Sequence, residues 1–454
     1  MRRRVGAMAA ILISSGVALI SGCSTSSKTG TPSPTDSQTA LPTQQTTAPA
    51  SPTVTESRTV TITASFSCSL TQTANSLTLT FLATSSFSPT ESKTPSETRT
   101  HSITRTWTQS PTPVPTCAPA AACVYVANGG SSNLSIINSA VNLVALTVAT
   151  GAGPALTVLH PNGSRAYVSG SYLTVYDTIS NVTVATVGVS SWIVRVSPNG
   201  SRVFVPIWSA GSVAVLDTSS NSVIATIPVG TNPAEVGITP NGSLAFVPNN
   251  GSNNVSVVDI PTLGVVVTVP VGQSPGLVAI TPNGSRAYVH NGPNDTLSVI
   301  DTATTAVIAT APGGCLAAYL AITGNGSLVF IANGSLCGCG ASVTVVSTST
   351  NALVTTICNG ATGSHVAFTP DGSLAYVPNY YSPNVSVIDI ASFSIIATVG
   401  VGSRPRHAAI TPDGSWIWVA NEWGASVSRI ARSTNAVTAT IGVGSSPWSV
   451  VIRP

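Results

Sequence analysis

Two histidines occupy equivalent places in a repeated sequence and are the first candidates for chemistry. His365 and His407 each stand four residues before the threonine of a Thr-Pro-Asp-Gly-Ser motif. Imidazole titrates near neutral pH, acts as a general acid or base, and ligates metals. With an acid such as Glu235 or Glu422, the pair would suit a divalent metal ion or acid–base catalysis. The sequence defines no complete catalytic or metal-ligand set, so no cofactor is predicted.

Aromatic and polar residues vary at the same place in other repeats and in neighbouring loops. Aromatic rings with a few polar groups in a concavity are typical of ligand sites. The simpler interpretation, that these residues fill the interior and pack the junctions between repeats, is favoured over ligand binding, and ligand binding over catalysis. The ligand-binding candidates are Trp192, Glu235, Tyr319, His365, Tyr380, Tyr381, Arg406, His407, Glu422, Trp423 and Trp448.

Cysteines are a second set of candidates. Four of them surround a single repeat, and in an exported protein two disulfides are expected. A four-thiolate zinc site fits the count, but the Cys-x-Cys spacing and an oxidising location favour disulfides. Cys117 and Cys123 would form a further disulfide, and Cys68 would then be the odd cysteine in this prediction. The four cysteines around one repeat are Cys315, Cys337, Cys339 and Cys358.

A repeat of about forty residues must position these side chains. Seven Asn-Gly-Ser or Asp-Gly-Ser motifs follow one another at steps of 37 to 46 residues. A period near forty with several short strands per unit is typical of a β-propeller, and Asn-Gly or Asp-Gly favours a tight turn between antiparallel strands. Since Asp replaces Asn in this slot, turn geometry explains the motif better than N-glycosylation does. The turns begin at Asn162, Asn199, Asn241, Asn283, Asn325, Asp371 and Asp413.

Each repeat offers four strands, called A to D in chain order. In one copy they are predicted at 277–281, 286–290, 297–301 and 306–310, all rich in Thr, Val and Ile. No segment has sustained helical periodicity, so the fold class is all-β. In a four-stranded blade the D–A and B–C connections share one face, and the ligand-binding candidates lie at that face.

The second strand of each repeat carries a recognisable motif. It reads Tyr-Val-His-Asn at 288–291, Tyr-Val-Pro-Asn at 376–379 and Trp-Val-Ala-Asn at 418–421. Here the chain resembles the YVTN-repeat β-propeller family over about residues 119–454, although no copy has the literal Tyr-Val-Thr-Asn. The resemblance implies a propeller of four-stranded antiparallel blades.

The repeat region begins with a B strand and ends with an A strand at 449–454, with eight strands of each type. The last strand is therefore expected to complete the first blade and close the ring, which removes an exposed sheet edge. Eight blades are predicted. Seven blades are the alternative, because the resembling family is more often seven-bladed.

Residues 1–22 have the features of a secretory signal, with a basic start at 2–4 and an apolar stretch at 5–20. The run Ile-Ser-Gly-Cys at 20–23 resembles a bacterial lipoprotein signal. The resemblance implies that Cys23 is lipidated and anchors the exported protein to the outer face of a membrane, at the cell surface or in the periplasm. An ordinary cleaved signal with an incidental cysteine is the alternative.

Residues 23–118 differ in composition from the signal segment before them and are rich in Ser, Thr and Pro. Such a segment buries too little apolar surface to offset its conformational entropy, so a disordered stalk, open to O-glycosylation, is predicted. A more alternating stretch, 59–87, would hold a strand or two. The repeat region, 119–454, is the third predicted domain.

Charged residues make up only 7% of the chain, and its formal net charge is +3. Nucleic-acid binding depends on a basic surface, so it is not expected. The predicted partners are the membrane, through the lipid anchor, and a protein or glycan; the chain itself is expected to be monomeric.

Three functions are compatible with these features. The favoured hypothesis is a surface-anchored binding or interaction scaffold at the cell envelope. One alternative is an enzyme similar to propeller lactonases or streptogramin lyase, with a His and acid site at the channel mouth. The other is a structural surface-layer component, which resembles archaeal coat proteins of the same repeat family.

Overall fold

A computed structural model describes the backbone of residues 63–73, 76–86 and 98–107, and residues 123–334, 342–360 and 362–453 in full. The chain divides into two units, Met1–Thr112 and Pro113–Pro454. The signal segment and Cys23 lie outside the described residues. Among those residues, no helix is long and apolar enough to cross a membrane.

The first unit contains a three-stranded antiparallel sheet in the order β1-β2-β3. The sequence allows a strand or two at 59–87, and the structure has two there. A third strand was not predicted; its sequence has no apolar run, but its threonines and isoleucine favour extended backbone. The strands are β1 (Thr63–Thr73), β2 (Ser76–Ser86) and β3 (Thr98–Trp107). The predicted domain bounds stay predictions.

The second unit contains eight four-stranded antiparallel sheets, the blades of a β-propeller. All-β architecture and eight blades are therefore confirmed, and the seven-blade alternative is wrong. Blade 1 combines β35 (Pro447–Ile452) as its A strand with β4 (Cys123–Asn128), β5 (Asn133–Asn138) and β6 (Leu143–Ala149).

Blades 2 to 8 each follow chain order from strand A to strand D. Blade 2 contains β7 (Thr157–Leu159), β8 (Arg165–Val168), β9 (Leu173–Asp177) and β10 (Val182–Val187). Blade 3 contains β11 (Arg195–Val196), β12 (Arg202–Ile207), β13 (Ser212–Asp217) and β14 (Ser222–Pro228). Blade 4 contains β15 (Gly237–Ile238), β16 (Leu244–Asn249), β17 (Asn254–Asp259) and β18 (Gly264–Pro270).

Blade 5 contains β19 (Pro275–Ile280), β20 (Arg286–Asn291), β21 (Thr296–Asp301) and β22 (Val307–Pro312), each within two residues of the predicted bounds. Blade 6 contains β23 (Tyr319–Ile322), β24 (Leu328–Ala332), β25 (Ser342–Ser347) and β26 (Leu353–Cys358). Blade 7 contains β27 (Ala367–Phe368), β28 (Leu374–Asn379), β29 (Asn384–Asp389) and β30 (Ser394–Gly400). Blade 8 contains β31 (Pro405–Ile410), β32 (Trp416–Asn421), β33 (Ser426–Ala431) and β34 (Ala436–Gly442).

The two ends of the propeller meet in blade 1. Strand β35 pairs with β4, with Val450 opposite Val126 and Ile452 opposite Val124. Arg453 then donates from Nη1 to the carbonyl of Thr178 in blade 2 at 2.9 Å. The predicted closure is thus confirmed, and the ring leaves neither terminal strand of the repeat region unpaired.

The core consists of layers between neighbouring blades. In the layer between blades 7 and 8, Tyr376, Val385, Val387, Val419 and Ile430 are buried together. Each blade buries the middle strands B and C on both faces, because a neighbour covers each face. This burial explains why those strands have apolar runs rather than strict alternation.

The asparagine that ends the B-strand motif has an architectural role. Asn421 Nδ2 donates to Ser426 Oγ at 3.2 Å and to Ser428 Oγ at 3.0 Å, across the hairpin to the next strand. A Cβ placed on Gly402 would lie 2.7 Å from Cγ of Asn421, so the loop from the preceding blade packs directly against this side chain. The motif therefore joins one blade to the next.

The Asn-Gly and Asp-Gly motifs form the A–B turns. Gly284 N donates to Thr281 O at 2.8 Å, and Gly284 has a φ of +73°. The preceding side chain accepts from the following serine: Ser285 N donates to Asn283 Oδ1 at 3.0 Å. Asp413 accepts in the same way, which supports the interpretation of the motif as turn chemistry.

Replacing Gly402 by alanine tests this tight contact between blades. The added methyl group meets Asn421, so Gly402→Ala is expected to lower the free energy of unfolding by about 1–3 kcal/mol. Gly400→Ala is the matched control, because a Cβ there has nothing within 4 Å; its effect should stay within about 0.5 kcal/mol. Urea denaturation measures both, and equal losses in the two variants would contradict the role given to Gly402.

Candidate functional site

The face that carries the D–A and B–C connections is called the mouth face. Main-chain hydrogen bonds join the two kinds of connection there: Glu422 N donates to Arg404 O at 2.8 Å, and Tyr380 N donates to Thr362 O at 2.7 Å. These bonds fix the loops relative to the start of strand A. All of the predicted ligand-binding residues lie in or beside these connections.

At the mouth of the channel, three rings from consecutive blades lie in contact. The ring centroids of Tyr319 and His365 are 4.1 Å apart, and those of His365 and His407 are 3.8 Å apart. The three residues stand at equivalent positions of blades 6, 7 and 8. The structure therefore brings together three of the candidates from three consecutive blades.

An arginine enters the same region from blade 3. Arg195, on β11, forms an ion pair with Glu235, which precedes β15 and is buried. Residues equivalent to Arg195, two positions before the A–B turn, are small in five blades. They are Gly237, Ala279, Ala321, Ala367 and Ala409. We call Arg195, Glu235, Tyr319, His365 and His407 the channel cluster.

Burial and positive charge control the protonation of the channel cluster. Burial lowers the pKa of His365 well below its usual value, and the positive charges of His407 and Arg195 lower it further. Burial, Arg195 and Arg406 lower the pKa of His407 to about 4. Burial also raises the pKa of Glu235, although Arg195 opposes this shift. Both imidazoles are therefore neutral at pH 7.

The Nδ1 atoms of His365 and His407 are buried and have no hydrogen-bond partner in the described part of the chain. A buried polar atom without a partner destabilises the fold, because its desolvation is not compensated. These two atoms are therefore the places in the cluster where an added group would form hydrogen bonds.

A second group of candidates forms a surface on blades 7, 8, 1 and 3. The Arg404 guanidinium lies 3.3 Å from the ring centroid of Trp423, and its Nη1 donates to Tyr380 Oη at 3.2 Å. The Tyr380 and Tyr381 rings meet edge to face at 5.1 Å. Trp423 and Tyr381 keep 65% and 63% of their surface exposed, so both remain accessible to a ligand.

This surface continues to the other side of blade 8. The Arg406 guanidinium lies 3.7 Å from the centroid of Trp448 and forms an ion pair with Glu422 at 2.9 Å. Trp448 stacks on Trp192 at 5.3 Å, although the two belong to blades 1 and 3. The aromatic–arginine surface comprises Trp192, Tyr380, Tyr381, Arg404, Arg406, Glu422, Trp423 and Trp448.

The described propeller uses its few acids in two ways. Its aspartates mostly accept hydrogen bonds in turns; for example, bonds from Ser219 and Ser220 lower the pKa of Asp217 to about 2. Its two glutamates, Glu235 and Glu422, both pair with arginines at the mouth face. The acids that are not needed for turns are therefore concentrated at the candidate site.

Sequence reasoning missed three residues at this face. Arg195 was not recognised because it lies two positions further along strand A than the other candidates. Arg404 was not recognised because it precedes strand A of its blade. Trp208 lies in a short 3-10 turn, Trp208–Ala210, that replaces the usual loop of blade 3, and it lines an open cavity of about 350 Å³ with Thr231 and Asn232. The unusual loop sequence Ile-Trp-Ser-Ala-Gly at 207–211 was the signal that could have revealed it.

Only part of the cysteine set can be placed. Cys358 ends β26, Cys315 lies in the connection before β23, and Cys123 begins β4 and is buried. Cys117, Cys337 and Cys339 lie outside the described residues. The disulfide pairings therefore stay predictions.

The divalent metal hypothesis also stays untested. Within the residues that the structure describes, no group of three or more His, Cys, Asp or Glu is arranged to hold a metal ion. Glu235 is paired with Arg195, and Glu422 with Arg406, so neither acid joins the two imidazoles in a ligand set.

Comparison with known proteins identifies the fold but no family. No family model and no curated protein matches the chain. Dihydro-heme d1 dehydrogenase NirN in complex with DHE is similar over 72% of this chain and 74% of its own, at 15% identity and a TM-score of 0.62.

Two further solved structures are also similar. A functionally unknown protein from Desulfotomaculum acetoxidans DSM 771 matches over 73% of this chain and 98% of its own, at 14% identity and a TM-score of 0.51. Kuenenia stuttgartiensis hydrazine synthase matches over 56% and 87%, at 21% identity and a TM-score of 0.47. At 14% to 15% identity, the likeness to NirN and to the Desulfotomaculum acetoxidans protein shows the propeller fold alone.

The neutral histidines predict a pH dependence of stability. Their folded pKa values lie below the ordinary 6.5, and that of His407 is about 4. The unfolded chain therefore binds more protons between about pH 6.5 and pH 4, so stability is complete above this window and is lost as the pH falls through it. The melting temperature of the wild type should fall by about 5 °C more between pH 7 and pH 5 than that of His365→Gln/His407→Gln.

Differential scanning calorimetry of the two proteins at each pH measures this difference. Because the pKa of Glu235 is raised, its titration changes the stability with pH in the opposite direction. This contribution is common to both proteins and cancels in the comparison. Tyr319→Phe is the control, since it keeps the stacked ring and both imidazoles. Identical pH profiles for the wild type and the histidine variant would contradict the predicted protonation states.

Proposed function

We propose that this chain is an exported, lipid-anchored binding protein of the YVTN-repeat type, and that its mouth face holds a saccharide chain at the cell envelope. The observation that carries the proposal is the aromatic–arginine surface. It joins five aromatic rings, two arginines and a glutamate on one face of a protein in which charged residues are only 7% of the chain.

The chemistry of this surface suits sugar rings. The apolar C–H faces of a pyranose pack on flat aromatic rings, and its hydroxyl groups pair with charged side chains such as Arg406 and Glu422. Trp192 is 62% exposed, and the exposed rings of Trp423 and Tyr381 lie at the other side of the surface. Because the exposed aromatic rings lie at separate places on this surface, they would bind several sugars of an extended chain better than a single small molecule.

The rigidity of the surface supports the same proposal. Cation–π contacts hold Arg404 over Trp423 and Arg406 over Trp448, so these side chains lose little conformational freedom when a ligand binds. The backbone of Arg404 has a φ of +51°, and Ser274 and Ser446 share this left-handed conformation at the same place in other repeats. The repeat itself thus fixes where Arg404 presents its guanidinium.

Trp423→Ala and Tyr381→Ala test the surface. Each removes an exposed ring without opening the core, so each should weaken saccharide binding by about tenfold, as is usual for an aromatic anchor. A glycan array with the full mature chain would find the ligand, and calorimetry would give the affinities. Ile396→Ala is the matched control, because Ile396 is exposed on the outer strand β30, far along the blade from the mouth face.

Unchanged affinity in both aromatic variants would refute the role of this surface. Absence of glycan binding, together with a protein partner whose capture depends on Trp423, would replace the saccharide with a protein ligand. Ordered assembly of the purified chain with rising concentration would favour the surface-layer alternative.

The lipid anchor has its own test. Cys23→Ala removes the residue at the lipoprotein-type cleavage site, so the variant should lose incorporation of labelled palmitate and leave the membrane fraction. Fractionation and metabolic labelling of cells that express both forms measure this. Palmitate labelling that persists in Cys23→Ala would show that the anchor lies elsewhere.

An enzyme remains the second candidate, because His365 and His407 lie in contact and are neutral at pH 7, as a general base must be. Hydrolysis or elimination activity lost in the double histidine variant but retained in Trp423→Ala would favour it. The similarity to propeller lactonases and streptogramin lyase and the neutral imidazoles support this alternative, and the likeness to solved structures adds nothing to it.

A further inference from the structure

The channel cluster contains three groups with unused hydrogen-bonding capacity. The Nδ1 atoms of His365 and His407 are buried and unpartnered, and His365 itself is only 6% exposed. Arg195 carries five N–H donors, of which one bonds to Val194 O at 3.2 Å and another to Glu235. The proposed saccharide site uses none of these groups.

The charges around these groups determine whether a cation or an anion would bind. Arg195 lies on blade 3, opposite blade 7 in a ring of eight, yet its charge acts on His365 as well as on His407 and Tyr319. A further positive charge, Arg406, acts on His407. A cation at the Nδ1 atoms would be repelled by both arginines, whereas an anion would be attracted, and Glu235 and Glu422 offset part of these positive charges.

We propose that the channel cluster is a binding site for one oxyanion group, a carboxylate, sulfate or phosphate, held by Arg195 and by the Nδ1–H groups of His365 and His407, with uptake of a proton by the histidine pair. One histidine donates as a neutral tautomer, and the other donates as an imidazolium after it takes a proton from solvent. The bound anion offsets the added positive charge, so the proton and the anion bind together.

The groups that face the histidines determine the pH dependence. Among the described residues they are Tyr319 from β23, Arg195 from β11, Glu235 before β15 and Arg406 on β31, which Glu422 partly neutralises. From strand β35, the backbone carbonyl of Val450 accepts a hydrogen bond from the His407 imidazole. Glu235 is the acid of the channel cluster, and an anion would compete with it for Arg195.

Binding of inorganic sulfate to the full mature chain tests the site. Sulfate keeps its charge between pH 8 and pH 5.5, so any pH dependence belongs to the protein. Isothermal titration calorimetry should show sulfate binding at least fivefold tighter at pH 5.5 than at pH 7.5. Titrations in two buffers of different ionisation enthalpy should show uptake of up to one proton per sulfate, and acetate should compete.

Two variants assign the donors. Arg195→Met/Glu235→Gln removes the ion pair without leaving a buried charge, and it should abolish binding at both pH values. His365→Gln/His407→Gln should retain weak binding that changes less with pH than that of the wild type, because Glu235 is then the remaining titrating group of the cluster that competes for Arg195. Melting temperatures of both variants verify that they fold, and Ile396→Ala, on the exposed outer strand β30 away from the mouth face, should bind sulfate as the wild type does.

Several outcomes would overturn the proposal. They are no sulfate or acetate binding at 50 mM in the folded wild type, pH-independent affinity, or unchanged binding in Arg195→Met/Glu235→Gln. Zinc binding that is lost in the histidine variant but kept in the arginine variant would make the cluster a metal site instead. Trp423→Ala should leave sulfate binding intact, so failure of the saccharide proposal and failure of this one are distinguishable.

Discussion

The pairing of β35 with β4 is the contact on which the whole propeller depends. A single blade of this sequence buries strands B and C only when a neighbour lies against each of its faces. In an open row of blades, the first and the last would each leave one face uncovered. Because the C-terminal strand completes the blade that the N-terminal strands begin, every blade gains two neighbours and the stacked faces are buried all around the ring.

Ring closure also determines where chemistry can occur. Strands B and C are committed to packing, and the motif asparagine, the A–B turn and the glycine before strand A are committed to joining blades. Variation is tolerated at the start of strand A and in the B–C loops, which meet on the mouth face. The glutamates of the propeller and most of its exposed aromatic rings are found at that face, where substitution does not disturb the layers between blades.

The mouth face contains two environments with different physical character. The aromatic–arginine surface is open, and its cations lie over aromatic rings, so it presents flat faces and charge to the solvent. The channel cluster is buried, and desolvation together with Arg195 keeps its histidines neutral. The first environment suits a large ligand that stays in solvent, and the second suits a small charged group that can be enclosed.

The amino-acid sequence by itself determined the all-β class, the eight blades, the closure and the approximate bounds of the strands. The same pattern of strands and turns occurs in eight repeats. A strand that is ambiguous in one repeat can therefore be placed by comparison with the other repeats. It also predicted that His365 and His407 would be neighbours, because equivalent residues of adjacent blades lie side by side.

Contacts between residues that are not equivalent were decided only by the tertiary structure. Arg195 forms an ion pair with Glu235 of the next blade, and its charge acts on His365 of blade 7. Trp192 of blade 3 stacks on Trp448 of blade 1, although these two blades are not neighbours. Arg404 contacts Trp423 because hydrogen bonds join the D–A connection that carries Arg404 to the B–C connection that carries Trp423. Such contacts depend on side-chain length and free space in three dimensions, which a one-dimensional repeat does not encode.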